Sequence, residues 1–276
     1  MKILVVDRED ITSELMSSRL DPLGHKITAE PVKNNAVDRL AKEEYDIIFI
    51  DPAPLTSAQP VILNLRRATA RYSYIVQMGA ETPQTEAIQS GANDAIHKPI
   101  DPDLLDTSIE NAGYLLSLIR RIGDDSEDFP SAGGIIAKSA FNQLFLSAID
   151  RADRYGERTF IVFIGMKNYH NIYENEGPYA ADYLVAKLSK YLVRLRRQSD
   201  IIAQTESFEY ALLLQRPLYE TEPLEAANRF AEAITDFPDM FKTDGEAPEI
   251  YVQLIDLPVG SRIIRHDITK DHVRGT

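Results

Sequence analysis

Between Arg194 and Tyr210 the chain reads RLRRQSDIIAQTESFEY, so Arg194, Arg196 and Arg197 crowd together just ahead of Asp200. Guanidinium groups present planar donor forks to anionic oxygens, and a local cluster of them can hold a small anion. The blander reading is a solvated face, with Arg197 and Asp200 as an i, i+3 ion pair on a helix. A second set is Asp7, Asp51 and Lys98, each at the end of a short apolar run. If those runs are parallel strands, all three groups stand at the carboxyl edge of a sheet, where ligands and catalytic groups of open α/β sheets gather. Thiolate chemistry and cysteine metal sites are excluded, because the chain has no cysteine. His25, His97, His170, His266 and His272 have no metal-ligand spacing with one another, so no metal site is expected from them.

A chain of 276 residues allows one or two domains with a sizeable core in each. Hydrophobic residues make up 44% and charged residues 26%, the balance of a globular protein that stays in water. No apolar run approaches the length of a membrane helix, and the first residues, MKILVVD, read as a strand rather than a signal peptide. A cytoplasmic location is the expectation, with no membrane partner. The formal charge of −13 argues against nucleic acid as a partner and leaves room only for a local anion site.

Short apolar runs and helical patterns alternate through the first half. Lys2 to Asp7 is a short β-branched run ending in acid, Asp46 to Asp51 and Tyr74 to Met78 are continuous apolar runs that suit strands buried on both faces, and Ala95 to Pro99 is a short strand ending at a proline. Helical patterns, among them Ile11 to Leu20, Ala36 to Glu43 and Pro83 to Ser90, separate them. The class is α/β, a doubly wound parallel sheet. On the segments ILVVD, YDIIFID and the Lys98-Pro99 pair, residues 1–122 resemble a response-regulator receiver domain. The resemblance implies a CheY-like sheet, Asp7 as a pocket acid, Asp51 as phosphoacceptor, Lys98 as the pocket lysine, and a cis bond before Pro99. Two parts of that pocket differ. Arg8 stands where a second acid helps hold Mg²⁺, and Gly79 stands where a Thr or Ser hydroxyl follows the fourth strand. Ala95 replaces the family's switch aromatic. Mg²⁺ favours oxygen ligands and is not favoured beside a guanidinium, with Glu9 or Asp10 at the wrong spacing to compensate. Two readings stand, a phosphorylated switch and a pseudo-receiver that docks without switching. The missing parts favour the second.

Residues 123–132 read as a linker, acidic and helix-breaking from Gly123 to Ser131. The apolar positions Leu115 to Ile119 just before it suit a core-facing stripe, or a contact between two copies. Beyond it, Phe141 to Tyr155 is helical, Phe160 to Ile164 is a strand, and Tyr179 to Arg196 is a helix with Leu184, Leu188 and Leu192 on one stripe. A hairpin follows, turning at Glu206-Ser207, then a helix from Leu224 to Thr235 and a strand from Ile250 to Ile255. Lys167 to Tyr173 reads as a surface loop. The polar stretch from Gly260 to Thr276 implies a shortened or remodelled end.

On Arg197-Gln198-Ser199-Asp200 before the hairpin and Glu206-Ser207-Phe208-Glu209-Tyr210 at its turn, residues 133–276 resemble a degenerate GGDEF domain, the fold of diguanylate cyclases. The resemblance implies an α/β domain on a mixed sheet. It also implies lost chemistry. Gly165 and Phe208 stand where the family's metal-holding acids belong, Glu206 and Ser207 replace the turn glycines, and Tyr173 and His170 replace a guanine-reading Asn and a phosphate-binding Lys. Only Asp182 and Glu209 remain, so no catalytic residue and no metal are expected. Tyr169 and Tyr173 would fill the emptied nucleotide groove or meet a partner. What the resemblance retains is the inhibitory-type site for cyclic di-GMP, where arginines meet and stack on guanine and an acid accepts from its N1–H and N2–H₂ edge. Arg197, Asp200, Arg229 and Arg151 fall on its positions, the last supplied by a second subunit in a homodimer. The expected function is a non-enzymatic cyclic di-GMP effector or adaptor in bacterial signalling, acting on another signalling protein. The alternatives are a scaffold that binds no ligand and a residual cyclase.

Overall fold

The computed structural model describes residues 1–124, 126–197 and 200–272. Asp125 of the expected linker, Gln198 and Ser199 inside the arginine motif, and residues 273–276 of the expected second domain lie outside them. Contacts divide the chain into two compact units. The first holds Met1–Arg120, Ala148–Arg158 and Leu257–Gly260, and the second holds Arg121–Ser147, Thr159–Asp256 and the residues from Ser261.

In the first unit β1 (Lys2–Val6), β2 (Lys26–Ala29), β3 (Ile47–Ile50), β4 (Tyr74–Gly79) and β5 (Asp94–His97) form one sheet in the order β2-β1-β3-β4-β5. Every ladder is parallel. The helices α1 (Asp10–Leu20), α2 (Lys33–Leu40), α3 (Gln59–Ala68), α4 (Gln84–Gln89) and α5 (Pro102–Gly123) alternate with the strands. This is the doubly wound, CheY-like order. β-Branched side chains favour the extended backbone, and Ile47, Ile48, Phe49 and Ile50 are all fully buried. Each such side chain contributes roughly 1.5–3 kcal/mol by leaving water. Because all strands run one way, Asp7, Asp51 and Lys98, which immediately follow β1, β3 and β5, share one edge.

The second unit is built from α6 (Lys138–Tyr155, which its far end shares with the first unit), β6 (Thr159–Met166), α7 (Tyr169–Glu176), α8 (Pro178–Leu195), β7 (Ile201–Glu206), β8 (Glu209–Gln215), α9 (Glu222–Thr235), β9 (Ile250–Leu257) and β10 (Arg262–Ile268). The strand order is β10-β9-β6-β8-β7. The ladders of β6 with β8, β7 with β8 and β9 with β10 are antiparallel. The sheet is therefore antiparallel rather than the mixed one expected, and the parallel bridge of Ile136 to Ala203 lies outside its named strands. The crossover from β6 through α8 to β7 leaves a gap one strand wide, and β8 folds back into it antiparallel to both. The stripe Leu184, Leu188 and Leu192 of α8 is buried in the core with Phe230 and Ile234 of α9. Within the polar stretch that begins at Gly260, β10 pairs directly with β9 and carries charge along an exposed edge, which discourages further strand pairing. Among the described residues no helix is long and apolar enough to cross a membrane.

Candidate functional site

The first unit gathers Asp7, Asp51 and Lys98 as the sequence implies. Lys98 Nζ lies 2.6 Å from Asp7 Oδ2 and 2.5 Å from Asp51 Oδ2, with Glu9 Oε2 at 3.6 Å. Backbone donors fix the other oxygens: Glu9 N–H donates to Asp7 Oδ1 at 3.1 Å and Ala53 N–H to Asp51 Oδ1 at 2.8 Å. Burial works against the charge on Asp7, but hydrogen bonds from Lys98, Thr12 and the Glu9 N–H outweigh it and hold its pKa below the usual carboxylate range. Burial likewise opposes the charge on Lys98, yet Asp51 and Asp7 raise its pKa above the usual lysine value. Two further cations border the pocket. Lys33 Nζ donates to Ala53 O at 2.6 Å, and its pKa is lowered by burial and by Arg8. The Lys98–Pro99 bond is cis, as the resemblance implies. At Gly79, a Cβ would lie 2.5 Å from Thr82 Oγ1, so the Thr82 side chain fills the space of the absent side chain. Nothing in the sequence motif marks Thr82, which lies past the strand end.

In the second unit the hairpin between β7 and β8 turns at Ser207-Phe208. Glu209, 5% exposed, accepts from three side chains: Tyr251 Oη at 2.6 Å, Thr205 Oγ1 at 2.7 Å and Arg121 Nη1 at 2.5 Å. Arg121 also faces Glu206 Oε1 at 3.6 Å, and its guanidinium lies 5.2 Å from the Phe163 ring centre. Burial, then Glu209, holds the Tyr251 phenol far above its usual pKa. A Cβ on Gly165 would meet Tyr251 Oη at 2.6 Å, so the Tyr251 ring fills the place of a side chain there. Phe208 stacks on Tyr169 at 5.5 Å, and His170 meets Phe208 edge-on at 5.3 Å. Tyr169 Oη donates to Asp182 Oδ1 at 3.1 Å, and burial with Asp182 pushes the phenol up to about 12. The expected loop from Lys167 to Tyr173 is instead the start of α7, with Tyr169 and Ile172 buried. Apolar stacking on Phe208 draws that segment inward. Tyr169 and Tyr173 line a groove of about 820 Å³ with Asp182, Lys190 and Arg194.

The arginine motif lies beyond the end of α8, so Arg197 and Asp200 are not an i, i+3 pair on a helix. Instead Arg197 N–H donates to Asp200 Oδ2 at 2.8 Å, and Asp200 N–H returns to Arg197 O at 3.1 Å. Asp200 Oδ2 lies 3.8 Å from Arg229 Nη2, which α9 delivers. Arg197, Asp200 and Arg229 line a single cavity of about 340 Å³, together with Arg216, Leu218 and Glu222. Arg216 has a left-handed backbone, φ 50°, where β8 ends. The guanidinium of Arg197 is held by Glu222, Nη1 to Oε1 at 3.0 Å. Arg151 lies on α6 in the first unit, its Nε 3.1 Å from Glu157 Oε2. Arg216 and Glu222 went unmarked in the sequence, although Thr221-Glu222-Pro223 announces a helix start, with proline and acids in the first turn.

Several solved structures are similar to the chain in fold. A two-component response regulator from Clostridium difficile is 20% identical, with a TM-score of 0.37, covering 45% of this chain and 99% of its own. A chemotaxis response regulator, CheY4 of Vibrio cholerae, is 21% identical, with a TM-score of 0.37, covering 40% of this chain and 97% of its own. No curated protein matches the chain. Residues 131–254 match the family model described as "Diguanylate cyclase, GGDEF domain". The chain carries a GGDEF domain over those residues.

Proposed function

We propose that the chain is a non-enzymatic cyclic di-GMP effector, whose GGDEF domain binds the dinucleotide and whose CheY-like domain passes the signal to a protein partner. The observation that carries this reading is the cavity in which Arg197, Asp200 and Arg229 converge. Two guanidinium groups beside one carboxylate suit a ligand that combines phosphate with guanine edges. A second copy in a homodimer would add its Arg151 to the clamp.

The turn end of the β7–β8 hairpin argues against cyclase chemistry. Phosphoryl transfer between nucleotides needs metal ions to neutralise the charge that develops. Here the strand-end position is Gly165 under the Tyr251 ring, the turn position is Phe208 under Tyr169, and Glu209 is consumed by Tyr251, Thr205 and Arg121. That donor set does not fit a divalent cation. The CheY-like pocket is similar, since Lys98 stands between Asp7 and Asp51, with Arg8 and Lys33 close enough to influence each other. Phosphorylation at Asp51 is accordingly not part of the proposed mechanism.

The reading is tested by incubating the protein with GTP and Mg²⁺ or Mn²⁺, and separately by displacement of fluorescent cyclic di-GMP. The expected outcome is no turnover together with displaceable binding that Asp200→Ala and Arg229→Ala weaken. Turnover of GTP would overturn it.

A further inference from the structure

The arginine cavity contains a carboxylate that no anion-binding role explains. Glu222 sits in the first turn of α9, and its side chain is 20% exposed. Its Oε1 accepts from Arg197 Nη1 at 3.0 Å and its Oε2 accepts from the Leu218 N–H at 2.6 Å. Both oxygens are therefore engaged, one by the cation and one by the loop that borders the cavity. The Arg229 guanidinium is held more loosely, with Asp200 at 3.8 Å and its buried Nε making no hydrogen bond among the described residues. A phosphate or a guanine edge entering the cavity needs the donors that Glu222 already takes from Arg197. It would also approach the charge of Glu222 itself.

We propose that Glu222 is a built-in competitor at this cavity: its carboxylate holds Arg197 in the ligand's place and sets the affinity for a phosphate-bearing dinucleotide. The proposal rests on the reading of the cavity as the cyclic di-GMP site. An acid in the first turn of a helix also stabilises the helix N-terminus. That structural role alone predicts that neutralising Glu222 leaves binding unchanged or weakens it. Competition predicts the opposite sign. A partly exposed ion pair of this kind is a modest barrier, so its removal should tighten binding on the order of five-fold.

The test is titration of cyclic di-GMP into the full chain, the Glu222→Gln variant and the Glu222→Ala variant at one ionic strength. Gln keeps an acceptor for the Leu218 N–H, so the loop stays pinned while the competing charge is removed. Tighter binding by Glu222→Gln than by the wild type supports the proposal, and the gain should disappear when Arg197→Ala is added. Binding by the wild type that Glu222→Gln leaves unchanged or weakens overturns the competitor role and leaves the receptor reading intact. An absence of binding by wild type and both variants overturns the receptor reading, and the competitor role falls with it.

Discussion

Two carboxylates a few ångströms apart repel one another, and a cation between them removes that penalty. Lys98 Nζ is that cation for Asp7 and Asp51, and Arg121 is that cation for Glu206 and Glu209. Both belong to the covalent chain, so neither acid pair needs a metal ion to be stable. Arg121→Ala should destabilise the protein by about 2 kcal/mol, less than a fully buried pair because Arg121 is partly exposed. Urea unfolding measures this, and a change below about 0.5 kcal/mol would show that the acids find another partner. The first pocket makes a prediction in pH. The pKa of Asp7 is lower in the folded chain than its ordinary 3.8. Its contribution is therefore present above that value and lost as pH falls through the folded pKa. The pKa of Lys98 is raised above 10.5, so its contribution is present below that value and lost as pH rises through the folded pKa. Asp7→Asn should flatten the acid limb of urea midpoint against pH and leave the neutral region level. An acid limb as steep as that of the wild type would count against the Asp7–Lys98 contact.

Gly165 and Tyr251 are a matched pair on β6 and β9, because the ring takes the space of a side chain. Gly165→Asp, which would place a family-type acid at the strand end, should overpack the sheet and cost about 1–3 kcal/mol. The double variant with Tyr251→Ala should lose less than the sum of the two single losses, as read by thermal unfolding. Additive losses would mean the two positions do not compete for space. Continuous apolar strands such as β3, β6 and β9 were legible in the sequence, since burial on both faces leaves an unbroken hydrophobic run. β2 was not, because its four residues are all partly or fully exposed and leave no apolar run. Nor was β10, an edge strand carrying Arg262, Arg265, His266 and Asp267. α7 escaped notice because its inward pull comes from Phe208, far along the chain. The positions of Arg197, Asp200 and Arg229 were readable from a motif. Their restraint by Glu222 was not, because that contact closes across 25 residues, and the grip of Arg121 on Glu209 closes across 88. Contacts at that range leave no local pattern.

The whole molecule carries a formal charge of −13, and its candidate anion site is a local exception built from Arg197, Arg216 and Arg229. Each of its two units sets a cation of the chain beside two acids, Lys98 at Asp7 and Asp51 and Arg121 at Glu206 and Glu209. The proposed signalling passes through ligand occupancy and protein contact rather than through turnover. Acetyl phosphate with Mg²⁺ should leave the intact mass unchanged, and Asp51→Asn should behave as the wild type. A phosphorylated species lost in Asp51→Asn would restore the switch reading for the CheY-like unit.

Calorimetric titration of cyclic di-GMP into the wild type and Arg197→Ala tests the central claim most directly. The account predicts saturable binding by the wild type that the substitution abolishes. No binding by the wild type at tens of micromolar, an affinity of about −6 kcal/mol, would contradict it.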